Sequence, residues 1–91
     1  GLNLLADFQP DIVKLDMALI RGIEQSKPRR AIVAGVVAMC RQLDIAVIAE
    51  GIESADEARC LADLGIHLMQ GYFFARPAFQ AVASVESVVF A

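Results

Sequence analysis

Tryptophan is absent from these 91 residues, histidine and tyrosine occur once each, and there are two cysteines, three prolines and six glycines. With a single histidine, His67, the chain has no Ser-His-Asp set and no His-rich metal cluster. Neither a GxGxxG nor a P-loop pattern is present, which removes the common nucleotide-cradling loops. Cys40 and Cys60 lie in separate helical patterns without a CxxC spacing, so they read as reduced packing residues of a cytoplasmic protein. His67 opens a strand at the end away from the reactive groups described below and reads as structural or as a surface residue.

Long apolar runs are also missing. The longest, Ala31 to Cys40, is bounded by Arg30 and Arg41 and falls well short of the ~20 residues that cross a bilayer, so no membrane span is expected. The net charge of −3 gives no electrostatic case for a nucleic-acid polymer as partner. Lys27, Arg29 and Arg30 form the nearest thing to a basic cluster, and they open a helix as a solvated face. Gly1-Leu2-Asn3 has neither an initiator Met nor a basic n-region, so the expectation is a boundary inside a longer chain rather than a signal peptide.

What is present is an interior-like composition, 57% hydrophobic and 21% charged. A chain this short buries only roughly 60–65% of its unfolded surface, so an apolar excess implies a further covering, either more of the same domain or self-association.

Strand-like and helix-like segments alternate, which predicts an α/β fold of βα units around a parallel sheet. Residues 2–8 read as a helix end stopped by Pro10. Residues 12–16 read as a first strand, 17–25 as a short helix, and 28–43 as a longer one with Ile32, Val33, Val36, Val37, Cys40 and Leu43 on its apolar face. Residues 44–49 make a second strand, nearly continuously apolar and so covered on both sides. Ser54 and Glu57 form a capping box for a helix that turns Ala58, Leu61, Ala62 and Leu64 inward and ends at Gly65. Residues 66–70 make a third strand, and 78–91 a closing helix or a loosely held tail.

Reactive groups of parallel α/β proteins gather at the carboxyl ends of the strands. The first strand end offers Lys14 and Asp16, the second Glu50 and Glu53, the third Gln70. Each has a second reading. Lys14 can pack its stem as a surface lysine, Asp16 can cap the next helix, and Glu50 can pair with a cation on a neighbouring strand. Glu53 can serve the capping box, and Gln70 can satisfy backbone groups at its strand end. Glu50 is the hardest to set aside, because a carboxylate after five apolar residues needs a cation, a metal or donors to meet it.

The segments Asp11-Ile12-Val13-Lys14-Leu15-Asp16, Ala49-Glu50-Gly51-Ile52-Glu53 and Gln70-Gly71-Tyr72-Phe73-Phe74-Ala75-Arg76-Pro77 together resemble the EAL domain family, the cyclic di-GMP phosphodiesterases. Their order, with 36 positions from Lys14 to Glu50 and 20 from Glu50 to Gln70, makes the resemblance specific, and it covers about 1–79. It implies a TIM-like (β/α)8 barrel that uses Mg²⁺ or Mn²⁺ to hydrolyse cyclic di-GMP to linear pGpG. By the same resemblance Lys14 contacts the catalytic water, Glu50 is a metal ligand or general base, and Gln70 is the site glutamine. Asp16 and Glu53 match motif positions in a supporting shell.

The family's Glu-containing signature, its Asn and Glu ligands and its paired-Asp loop do not occur in this chain, and such a barrel takes about 250 residues. Residues 1–91 therefore read as the carboxyl-terminal portion of an EAL domain, about three of eight strands, inactive without the upstream remainder. The alternative is a non-catalytic EAL-like module that binds the nucleotide or a protein.

Overall fold

The computed structural model describes residues 2–71, 73 and 88–90. A helix, α1 (Leu2–Asp7), leads through buried Pro10 to β1 (Ile12–Leu15). There follow α2 (Met17–Ile20), a 3-10 turn (Ile23–Gln25), α3 (Lys27–Gln42), β2 (Ala46–Ala49), α4 (Ala55–Asp63), β3 (Leu68–Met69) and β4 (Val88–Phe90). The helix expected over 17–25 is thus broken in two, because Gly22 takes a left-handed conformation, φ 67°, which glycine adopts without the steric penalty of a Cβ.

All strand pairings are parallel and the sheet order is β3-β2-β1-β4. The three strands expected from the sequence are present in that sense. A fourth, β4, pairs with the free edge of β1, Val13 opposite Val88 and Leu15 opposite Phe90. It falls within the segment expected to be a closing helix or a loose tail; residues 78–87 of that segment lie outside the described residues.

The core lies between one face of the sheet and the helices. Val13 and Leu15 of β1 and Ala49 of β2 are completely buried there, together with Val33 and Cys40 of α3 and Leu61 of α4. In α3 the buried positions Val33, Val36, Val37 and Cys40 follow the three-and-four spacing of a helix packed on one side. Ile32, assigned to that face from the sequence, is instead 53% exposed: it precedes Val33 by one position, about 100° around the helix. Likewise Ala62 of α4 is exposed and the inward position is held by Glu57.

Helix starts follow the expected chemistry. Ser26 caps α3 by accepting the Arg29 N–H at 3.2 Å, and Ser54 caps α4 by accepting the Glu57 N–H at 3.1 Å. Gly65, φ 97°, ends α4 as expected. Among the described residues no helix is long and apolar enough to cross a membrane, and both cysteines are free.

Candidate active site

The register of the sheet places the candidate residues. Lys14 pairs with Ile48 and Ile48 with Leu68; one step on, Leu15 pairs with Ala49 and Ala49 with Met69. Paired residues of a parallel sheet share a face, and so do residues two apart along a strand. Lys14 and Asp16, Ile48 and Glu50, and Leu68 and Gln70 therefore stand on one face, opposite to Val13 and Leu15, which enter the helix-side core. Ile48, though 1% exposed, belongs to this second face and stands outside that core cluster.

Asp16, Glu50 and Gln70 form the row just beyond the last paired residues. The ladder runs on into this row: Glu50 N–H donates to Leu15 O at 3.2 Å, and Gln70 N–H donates to Ala49 O at 2.9 Å. The main chain of Gln70 thus completes the strand end, on the same sheet face as Glu50.

Lys14 Nζ lies 3.3 Å from Glu50 Oε2, with the two side chains 23% and 32% exposed. The cross-strand ion pair that was one of the readings of Glu50 is therefore present, at the mouth where the strands end. Asp16 occupies the N-cap position of α2, but its side chain makes no capping hydrogen bond. The N–H groups of Leu19 and Ile20 donate to its carbonyl instead.

Glu53 departs from this group. Gly51, φ 77°, turns the chain out of the strand, and Glu53 reaches Arg21 Nη1 at 3.0 Å with 59% of its side chain exposed. A Cβ on Gly51 would collide with Met17, and one on Gly71 with the backbone of Ile52. Glycine at both positions is what allows the three loops to pack this closely.

Arg21 and Glu57 are the members that sequence reasoning missed. The carboxylate of Glu57, 4% exposed, accepts the Glu53 N–H at 2.9 Å and the Gly22 N–H at 3.0 Å, and its Oε2 lies 3.4 Å from Arg21 Nη1. Arg21 also donates to Gly51 O at 3.2 Å. Burial alone would push the Glu57 carboxyl up. The N–H groups of Glu53 and Gly22, the charge of Arg21 and the N–H of Ser54 outweigh it and hold the group below the usual carboxylate range. The capping-box spacing pointed to Glu57 only as a local cap; nothing in the sequence tied it to Arg21, 36 positions away.

One further feature of the molecule lies elsewhere. A depression of about 380 Å³ lined by Val37, Arg41, Ile45 and His67 sits at the amino-terminal end of β2 and β3, opposite the row described above. His67 is exposed there.

The profile of the EAL domain family matches residues 1–77. The chain belongs to the EAL domain family. Its three motif segments are the strand ends just described, although Tyr72 and residues 74–77 of the third lie outside the described residues.

Among relatives, the cyclic di-GMP phosphodiesterase PdeR of Escherichia coli K12 is 41% identical over 77 residues, 85% of this chain and 12% of PdeR. The blue light- and temperature-regulated antirepressor BluF of the same organism is 36% identical over 85 residues, 93% of this chain and 21% of BluF. Among solved structures, Klebsiella pneumoniae BlrP1 in its calcium and cyclic di-GMP complex superposes with a TM-score of 0.80 at 49% identity, covering 85% of this chain and 20% of BlrP1. A manganese and cyclic di-GMP complex of BlrP1 gives a TM-score of 0.79.

The chain thus spans about a fifth or less of the length of these proteins, and its fold is that of βα units of a TIM-like barrel. In such a barrel the face carrying Lys14, Glu50 and Gln70 lines the interior and the strand ends form the mouth. Leu68, on that face of the edge strand β3, is 37% exposed.

The donor set of the described residues is too small to hold a divalent ion by itself. Among the described residues no group of three or more His, Cys, Asp or Glu side chains could hold one, whereas Mg²⁺ requires octahedral coordination by oxygen. The Glu50 carboxylate, partly exposed at the strand end, supplies oxygen donors of the kind such an ion takes.

Proposed function

We propose that these 91 residues are the carboxyl-terminal βα units of an EAL domain that, when complete, hydrolyses cyclic di-GMP to linear pGpG with Mg²⁺ or Mn²⁺, and that the segment alone does not turn over. The observation that carries this reading is the shared face of Lys14, Glu50 and Gln70 at three consecutive strand ends, with Lys14 and Glu50 at 3.3 Å.

The chemistry suits a cyclic phosphodiester. Lys14 supplies a positive charge where a phosphate or an attacking hydroxide needs one, and Glu50, held beside it, is placed to orient a water or accept its proton. The Gln70 amide offers both a donor and an acceptor on the same face as Glu50. A divalent ion, when bound, supplies a water of lowered pKa and neutralises phosphate charge. Asp16 supports this face; Glu53, turned to Arg21, supports the loop behind it.

A second reading has one specific observation in its favour. BluF, matched over 93% of this chain, is named as an antirepressor, so the same wall also suits a module that binds cyclic di-GMP or a protein without hydrolysing it. The test is to incubate the full-length polypeptide that carries this segment, and separately the 91-residue chain, with cyclic di-GMP and Mn²⁺ and to separate the nucleotides chromatographically. Formation of pGpG by the full-length polypeptide only is the expected result. Nucleotide binding without product favours the second reading, and product from the 91-residue chain contradicts the claim that the segment is inactive.

A further inference from the structure

The turn that carries Glu50 is held from both sides. Toward β3, Ile52 N–H donates to Gln70 O at 3.2 Å, Phe73 N–H donates to Ile52 O at 3.0 Å, and the Ile52 side chain is completely buried. Toward the loop that follows α2 the ties run through Arg21, Gly22 and Glu57, beside the direct bond of Glu50 N–H to Leu15 O at 3.2 Å. Arg21 donates to Gly51 O, and the Glu57 carboxylate collects the Gly22 and Glu53 N–H groups, one from each loop. Glu50 is bonded to Gly51, whose carbonyl is one of the anchored atoms.

We propose that Glu57 and Arg21 form a positioning clamp that fixes residues 50–53 against the Arg21–Gly22 loop and so keeps the Glu50 carboxylate in register with Lys14 and Gln70. Neither residue is catalytic; each acts on the reacting groups through the backbone of the turn. A buried carboxylate that joins two loops is a costly way to cap one helix, since Ser54 already satisfies the first-turn N–H of Glu57. The arrangement is accounted for if its second task is to hold the loops in register, because displacing a catalytic group by about 1 Å costs up to ~100-fold in rate.

The role in turnover rests on the phosphodiesterase reading; the clamp itself does not. The variants are Glu57→Gln and Arg21→Met in the full-length polypeptide. Glutamine keeps the size of the side chain and one acceptor oxygen, but it turns an amide toward one of the two backbone N–H groups. Hydrogen exchange of peptides spanning 20–23 and 51–54 reads the clamp without reference to activity, and both segments should exchange at least about tenfold faster in either variant. The rate of pGpG formation reads the consequence: kcat should fall about 10- to 100-fold with KM within about twofold, and Glu57→Gln should add no further loss in a Glu50→Gln background.

Unchanged exchange in both variants overturns the clamp. Faster exchange with an unchanged kcat, or equal losses in the presence and absence of Glu50, overturns its positioning role. If the unsubstituted polypeptide forms no pGpG, the phosphodiesterase reading fails while the exchange result still decides the clamp. Arg21, with 41% of its side chain exposed, tests the same contact from the other side should Glu57→Gln not fold.

Discussion

Lys14 and Glu50, on neighbouring parallel strands, meet at 3.3 Å where those strands end. The pair is partly solvated, so its attraction is screened and its net contribution to folding is small. Lys14→Met or Glu50→Gln should change the unfolding free energy by about 1 kcal/mol or less. Urea unfolding followed by circular dichroism measures this. A loss several times larger would assign the pair to the scaffold rather than to the site.

Gly51 should resist substitution. Alanine there would place a Cβ against Met17 and hold a non-glycine residue at φ 77°, together costing about 1–3 kcal/mol. Adding Met17→Gly should relieve the collision but not the dihedral strain, restoring part of the loss. The midpoint of thermal unfolding for the single and double variants checks both steps.

The lowered pKa of Glu57 has a consequence at acid pH. Its carboxylate is more stable charged in the folded protein than in the unfolded chain, so its contribution is fully present above the ordinary Glu value of about 4.3 and fades as pH falls below that toward the depressed folded value. Stability measured from pH 6 down to pH 3 should therefore decline in this acid window. Glu57→Gln should be less stable at pH 6 and show a shallower decline.

Burial pushes both thiols up. Cys40 is completely buried between α3 and the sheet, and Cys60 is half-buried, where desolvation and the charges of Glu24 and Asp63 outweigh Arg30. Little thiolate forms at neutral pH at either site. Titration of the folded chain with a thiol reagent at pH 7.5 should show slow modification of Cys60 and slower modification of Cys40, with both becoming rapid in denaturant.

Much of this was legible in the sequence, for reasons that vary by element. Ile12-Val13 and Val47-Ile48 are β-branched runs beside turn residues, and Ser26, Ser54 and Gly65 announce helix limits, so the βα alternation could be read directly. The strand ends then brought Lys14, Asp16, Glu50 and Gln70 to one face. Besides the break at Gly22 and the exposed Ala62, three things escaped. Ile32 belongs by composition to the apolar stripe, but its angular position puts it outside. The edge strand at Val88–Phe90 depends on a long-range pairing with β1 that no local pattern encodes. The Arg21–Glu57 contact is likewise tertiary, and from the sequence Glu57 carried only the signal of a local cap.

The most direct test of the account is the initial rate of pGpG formation by the full-length polypeptide with saturating Mn²⁺, compared among the unsubstituted protein, Lys14→Met and Glu50→Gln. With folding unchanged, kcat is predicted to fall about 10²- to 10⁴-fold in each variant, as expected for loss of a group acting on the reacting water or phosphate. Rates within about twofold of the unsubstituted protein in both variants would contradict it.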